Sequence, residues 1–218
     1  MSVKVSYRIS RYDRRHRWMD DQCGESRSFV KAFLQLYYCM TSGLTQNVVD
    51  IDNTSRAIPA LAFDESSFLA SIHPGLSSQQ TTNAIGGTSG PVFPLFADDI
   101  GIQVGTGNTA VAVADDNLAT PIANGSSAGQ FVYYGSWALN YTTGASSASF
   151  DLERIFRNSS GGSIVVAEIG VYCMGSTSSS PTTAQVFGFC ILRDVISPTV
   201  TVNNGEYLKV KYTITVSN

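Results

Sequence analysis

The sequence predicts a mainly β protein, an antiparallel β-sandwich or jelly-roll-like fold with one N-terminal α-helix. The clearest sign is the closing stretch 207–216, where Leu208, Val210, Tyr212, Ile214 and Val216 alternate with Tyr207, Lys209, Lys211, Thr213 and Thr215. A period of two is what an extended strand with one buried face requires. Two earlier stretches alternate likewise. Val165, Ala167, Ile169, Val171 and Cys173 oppose Ile164, Val166, Glu168 and Tyr172, and Phe187, Phe189 and Ile191 oppose Gly188, Cys190 and Leu192. Only one stretch, after residue 28, places apolar side chains at helical spacing.

Taken in order, Val3, Val5, Tyr7 and Ile9 form a first strand, and a polar turn leads to a return strand around Trp18. Ser26 or Ser28 can cap a helix by accepting a hydrogen bond from a free backbone N–H. Phe29, Val30, Phe33, Leu34, Tyr37 and Met40 follow at helical spacing, and Gly43 is placed to end the helix. From residue 45 to 94 the pattern is weak. Leu61, Phe63, Phe68 and Leu69 suggest short strands or turns, and 77–90 reads as a long polar loop. The strand pattern resumes at Ile100 and again over 131–139, while Asn158–Gly162 reads as a hairpin turn. The expected organisation is an arm with strand, basic turn and helix (1–45), a loop-rich middle (46–99) and a C-terminal sandwich (100–218).

Hydrophobic residues are 43% of the chain, enough for a real core, while charged residues are only 14%. That balance suits a subunit that hides surface in an assembly. The net charge of −3 conceals a basic N-terminus, where Arg14, Arg15 and Arg17 crowd around His16 and Trp18. Interleaved Asp13, Asp20 and Asp21 weaken its field, so contact with an acidic neighbouring subunit is expected over nucleic acid. Cys23, Cys39, Cys173 and Cys190 lack zinc-ligand spacing. The spacing leaves a Cys173–Cys190 bridge open, with buried free thiols the expected state. No apolar leader and no run of membrane-spanning length is visible, so synthesis in a cytoplasm is expected.

Candidates for chemistry are few, and no cofactor or metal is expected. Asp50 with Asp52, Asp98–Asp99, and Asp115–Asp116 lack the regular ligand ladder of a calcium loop. Gly101, Gly105 and Gly107 superficially resemble a phosphate loop, without the Lys-Ser/Thr pair that holds phosphate. His16 and His73 have no nucleophile-elbow serine to serve. Asp151 and Glu153 point to one face of one strand, about 7 Å apart, as a glycosidase pair could. Tyr133, Tyr134, Trp137 and Tyr141 form an aromatic patch that suits packing or sugar stacking. Arg154, Glu168, Arg193 and Asp194 bring opposite charges onto neighbouring strands and suggest a structural ion-pair cluster.

Several motifs in the C-terminal half resemble structural proteins of tailed bacteriophages. Arg154, Phe156 and Asn158 fit an R-x-F-x-N-S-G element, with Ser160 displacing the glycine to Gly161. Glu168, Ile169, Gly170 and Tyr172 fit a strand ending E-I-G-x-Y, and Arg193, Asp194 and Val195 one ending R-D-V. The closing strand fits V-x-x-G-x-x-L-x-V-x-Y, and 24–40 is similar to the opening segment of such proteins. The resemblance implies a non-enzymatic virion building block, on capsid, tail or fibre, whose partners are itself and other virion proteins. The segment 1–43 is then expected to pack against another copy, with Phe29, Phe33 and Tyr37 burying apolar area and Arg14, Arg15 and Arg17 setting orientation. The alternatives are a host-receptor or carbohydrate-binding module using the aromatic patch, and a carboxylate-based polysaccharide-degrading enzyme.

Overall fold

The computed structural model describes residues 2–26, 28–42, 44–58, 72–73, 100–176 and 186–218. The expected strands and turns at 61–69, the loop at 77–90 and Asp98–Asp99 lie outside the described residues, as does Gly43. The described chain is mainly antiparallel β with one short helix. One sheet has five strands: β2 (Trp18–Ser26), β1 (Ser2–Tyr12), β11 (Tyr207–Ser217), β8 (Ser147–Asn158) and β7 (Phe131–Thr143), in that spatial order. In the other, β9 (Ile164–Ser176) pairs with β10 (Val186–Val202) on one side, and with β6 (Gly101–Gly105) and the two-residue β5 (Ile72–His73) on the other. A small ribbon of β3 (Gln46–Val49) and β4 (Ser55–Ile58) accompanies helix α1 (Lys31–Ser42).

The alternation of β11 sets the inner face of the larger sheet. Leu208, Val210 and Tyr212 are fully buried, while Lys209 and Lys211 stand on the other side. They share one core with Val5 and Ile9 of β1, Leu152 and Phe156 of β8, and Val166, Ile169, Leu192 and Val202 from the smaller sheet. The N-terminal strand is therefore not part of a separable arm. β1 lies between β2 and β11, paired with β11 along all its eleven residues. The segment supplies Val5 and Ile9 to the core that it shares with the strands after residue 100.

Two further expectations change. Asn158–Gly162 is not a hairpin turn, because β8 and β9 belong to different sheets. It is a corner, set beside the 203–206 corner through which β10 leads into β11. Asn158 Nδ2 donates to the carbonyls of Gly162 and Val202, both at 2.8 Å, and Gly161 N donates to Asn204 Oδ1 at 3.0 Å. The helix starts at Lys31, later than its apolar run. Phe29 instead bridges to Leu192, and Val30 N donates to the Ile191 carbonyl at 3.2 Å. The buried side of α1 is Ala32, Leu36 and Cys39, packed on Val48, Ile58, Cys173 and Phe189. Small residues at 32 and 39 let the helix approach the sheet closely.

From Glu168 to Cys173, β9 is covered on both faces: by the large core and then the helix layer on one side, through Ile169, Val171 and Cys173, and by the 107–120 loop on the other, through Glu168 and Tyr172. All four thiols are free. Cys173 lies opposite Phe189 and Cys190 opposite Tyr172, so the two project to opposite faces and cannot bridge. Burial pushes both thiols up to about 12. No helix among the described residues is long and apolar enough to cross a membrane.

Because Leu208 is at the centre of the core, Leu208→Ala should lower unfolding stability by about 2–5 kcal/mol in urea denaturation. A loss below about 1 kcal/mol would place that face of β11 outside the core.

Candidate functional sites

Of the four charged residues expected to cluster, the structure brings two together. Arg193 Nε donates to Glu168 Oε2 at 2.9 Å, and both side chains are essentially fully buried. Arg193 Nη1 reaches Asp115 Oδ2 at 2.6 Å, and Nη2 reaches the Thr109 carbonyl at 2.9 Å. Glu168 accepts three backbone N–H groups besides: Gly107 at 3.0 Å and Thr120 at 2.7 Å on Oε1, and Ala119 at 2.9 Å on Oε2. The glycines explain how the loop comes so close. A Cβ at Gly105 would lie 2.5 Å from Glu168 Oε1 and 2.7 Å from the Thr120 carbonyl, and one at Gly107 would meet the same oxygen at 2.5 Å. The glycine pattern that looked like a phosphate loop thus cradles an anion, the chain's own carboxylate.

Arg154 and Asp194 lie elsewhere, a correction to the four-membered cluster. Asp194 follows Arg193 on β10 and so projects to the opposite face, where it accepts the Tyr212 hydroxyl at 3.0 Å. Burial pushes its carboxyl up. Arg154 reaches from β8 through the core to the smaller sheet. Its Nη1 donates to the carbonyls of Ile100 (2.7 Å) and Ile102 (3.1 Å), and its Nε to Tyr134 O (2.7 Å). Its guanidinium lies over the Tyr133 ring at 4.7 Å.

That bond to Tyr134 coincides with a β-bulge. Tyr133 pairs with Phe156 and Ser136 with Arg154, so β7 has one residue more than β8 between these pairs. The extra residue turns Tyr134 and Trp137 to the same outer face, which a regular strand would forbid. Tyr133 is in the core, and Tyr141 is exposed beyond a second irregularity at 139–142. The aromatic patch expected from sequence is therefore divided. Tyr134 and Trp137 instead join Tyr12, Tyr207 and Ile155 around a cleft of about 560 Å³, with His16, Glu153 and Lys209 among its polar lining. Sequence reasoning missed Tyr12, Tyr207, Lys209 and His16 because only strand pairing brings 12, 137 and 207 together.

The comparisons with known proteins return nothing: no family model, no curated protein and no solved structure matches the chain.

The remaining acidic candidates have structural employment. Asp50 is buried, accepts the N–H groups of Asp52 and Thr54, and pairs with Arg56 at 2.6 Å. Asp151 accepts from Thr213 (2.6 Å), Asn140 (2.8 Å) and Lys211 (3.1 Å). Burial raises its carboxyl, but these donors outweigh it and hold it below the usual range, the opposite of what a general acid needs. Glu153 is 3.4 Å from Lys209. No group of His, Cys, Asp and Glu among the described residues is arranged to hold a metal ion.

In the basic turn, Asp13 Oδ1 accepts the backbone N–H groups of Arg15 (2.8 Å) and Arg17 (2.9 Å), and Oδ2 accepts Arg17 Nε at 2.7 Å. Arg11 pairs with Asp20. Arg14, Arg15 and Arg17 are exposed beside Asn204 and Glu206. The charges of Arg11 and Arg17 are thus answered within the chain.

Two measurements test these local structures. Glu168→Gln leaves Arg193 buried beside a neutral amide and should cost about 3–5 kcal/mol, as for breaking a buried pair by removing one partner. Gly107→Ala should also destabilise, by crowding the same oxygen; wild-type stability in both variants would remove the carboxylate from its structural role. The Asp13 carboxyl, held at about 2 first by the Arg17 backbone N–H and then by its side chain, should titrate there by carboxyl ¹³C NMR. Because the folded value is depressed, its support for the turn is complete above about pH 4 and lost as pH falls through about 2. Arg17→Ala should move the midpoint upward, and an ordinary carboxylate midpoint in the wild type would contradict the arrangement.

Proposed function

We propose that the chain is a non-enzymatic structural subunit of a tailed-bacteriophage particle, made in the host cytoplasm, that assembles with copies of itself and with other virion proteins on capsid, tail or fibre. On this reading its two larger sheets form a β-sandwich of jelly-roll kind. The observation that carries the reading is the outer side of α1. Leu34, Tyr37 and Tyr38 are 65%, 57% and 49% exposed, although the other side of the same short helix is already in the core. Large side chains left this exposed on one short helix mark a contact surface, and on this reading a neighbouring subunit covers it.

The contact set differs from that expected from sequence. Phe29 packs against the chain's own core, and Phe33 is half-buried, stacked between Phe29 (4.3 Å) and Tyr37 (6.4 Å). Tyr37 remains exposed and is joined by Leu34 and Tyr38. The arginine turn is a secondary contact on this reading, since Arg17 is already paired with Asp13. Within the motifs that resemble phage proteins, Glu168, Arg193 and Asn158 hold strands and corners in place, an architectural employment compatible with this reading.

Sedimentation velocity of the full chain should show concentration-dependent oligomers. Leu34→Asp with Tyr38→Asp should reduce them to monomer while leaving the circular dichroism spectrum unchanged. A wild-type chain that stays monomeric at about 100 μM overturns self-assembly. Salt-sensitive DNA binding lost on Arg14→Ala with Arg15→Ala would indicate a nucleic-acid arm instead.

A further inference from the structure

The outer face of the five-stranded sheet carries a second surface that the assembly reading does not use. Four rings converge there from three strands: Tyr12 of β1, Tyr134 and Trp137 of β7, and Tyr207 of β11. All four are half-buried, and none belongs to the core. Packing needs do not account for them.

Two features show that this arrangement is built. The bulge at 134–135 is what places Tyr134 and Trp137 on one face, and the carbonyl it displaces is bound at 2.7 Å by fully buried Arg154. His16, which is not glycine, holds a φ of 60° and sets its ring against Tyr207, centroids 4.4 Å apart. Backbone strain of this kind persists where surrounding structure enforces it, and it gathers at binding sites.

The polar lining defines the ligand. Glu153 and Lys209, 3.4 Å apart, are neutral as a pair and offer acceptors and donors beside the rings. An anion would meet Glu153. A cationic ligand would compete with charges already in place, since Lys209 Nζ lies 5.9 Å from the Tyr12 centroid and Arg157 Cζ 5.6 Å from that of Tyr207. What remains complementary is a neutral ligand with flat C–H faces and a rim of hydroxyls. The cleft, about 560 Å³, lies within the usual range for small-ligand sites.

We propose that this cleft binds a neutral oligosaccharide, a pyranose ring lying against Trp137 and Tyr134 with its hydroxyls bonded to Glu153 and Lys209. The inference is independent of self-assembly, so either can fail alone.

The test uses the full chain carrying Trp18→Phe, which leaves Trp137 as the single tryptophan. Cellohexaose, maltohexaose and chitohexaose are titrated separately, following indole fluorescence and heat. At least one should give a saturable change with Kd in the micromolar-to-millimolar range, weakened about tenfold or more by Tyr134→Ala and by Tyr207→Ala. Trp137→Ala, followed by heat alone, should abolish it. Leu34→Asp should leave it unchanged. No saturable response to any of the three up to about 10 mM overturns the proposal. So does binding that is indifferent to Trp137→Ala, or a Trp137 signal that follows protein concentration alone, which would mark the face as a contact between copies.

Discussion

The Glu168 carboxylate, buried without access to water, is the constraint around which the smaller sheet is arranged. An unsolvated charge at that depth is tolerable only if every lone pair is answered. The answers come from far apart in the chain: Gly107, Ala119 and Thr120 from the loop after β6, and Arg193 from β10. Arg193 is itself buried, and it holds Asp115 and the Thr109 carbonyl of the same loop. One carboxylate on β9 thereby fastens the 105–120 segment over the sheet and pins the neighbouring strand. The backbone N–H groups around it act as fixed dipoles aimed at the charge. They contribute stabilisation that water supplies in the unfolded chain, so the arrangement buys specificity of loop position more than net stability.

The parts legible in sequence were those with a local period. Alternation in 207–216 correctly assigned the buried faces of Leu208, Val210 and Tyr212 because an outer, solvated face lay opposite. β9 was harder to read. With both of its faces covered, alternation carries no contrast, and Glu168 sits among apolar neighbours for reasons that only its long-range partners reveal. The turn at 158–162 has the composition of a hairpin, but composition does not say which sheet the next strand joins. The Asn158 side chain decides that by binding Val202, 44 residues away. The helix was legible from its spacing, but its core-facing side was not, because large rings outrank Ala32 and Cys39 in hydrophobicity. The bulge in β7 left no sequence signal beyond Gly135.

Several charges among the described residues are answered within the chain. Asp13 answers Arg17, Asp20 answers Arg11, Asp50 answers Arg56, and Glu168 with Asp115 answers Arg193. The basic N-terminus suggested by composition is therefore a weaker field than its count of arginines implies. Specific attraction to a polyanion needs cations that are not already neutralised within a few ångströms. What the described surface offers instead is aromatic and aliphatic area, on α1 and on the outer face of the larger sheet.

These two areas differ in physical kind. On α1 the large exposed groups are a leucine and two tyrosines on a short helix. That surface rewards area and shape, as a subunit contact does. On the sheet, strand pairing from β1 to β7 sets the spacing of the rings, and acids and lysines alternate between them: Lys209 with Glu153, Lys211 with Asp151. Each pair cancels its own charge while keeping its hydrogen-bonding capacity. Apolar contact on such a face depends little on salt, whereas salt weakens the ion pairs through their partly exposed lysines. Recognition there accordingly rests on the rings and on the directions of a few polar groups, and Arg154 links both to the core. The same buried guanidinium that bridges the two sheets holds the bulge that aligns Tyr134 with Trp137, so the geometry of the outer face is inherited from the packing beneath it.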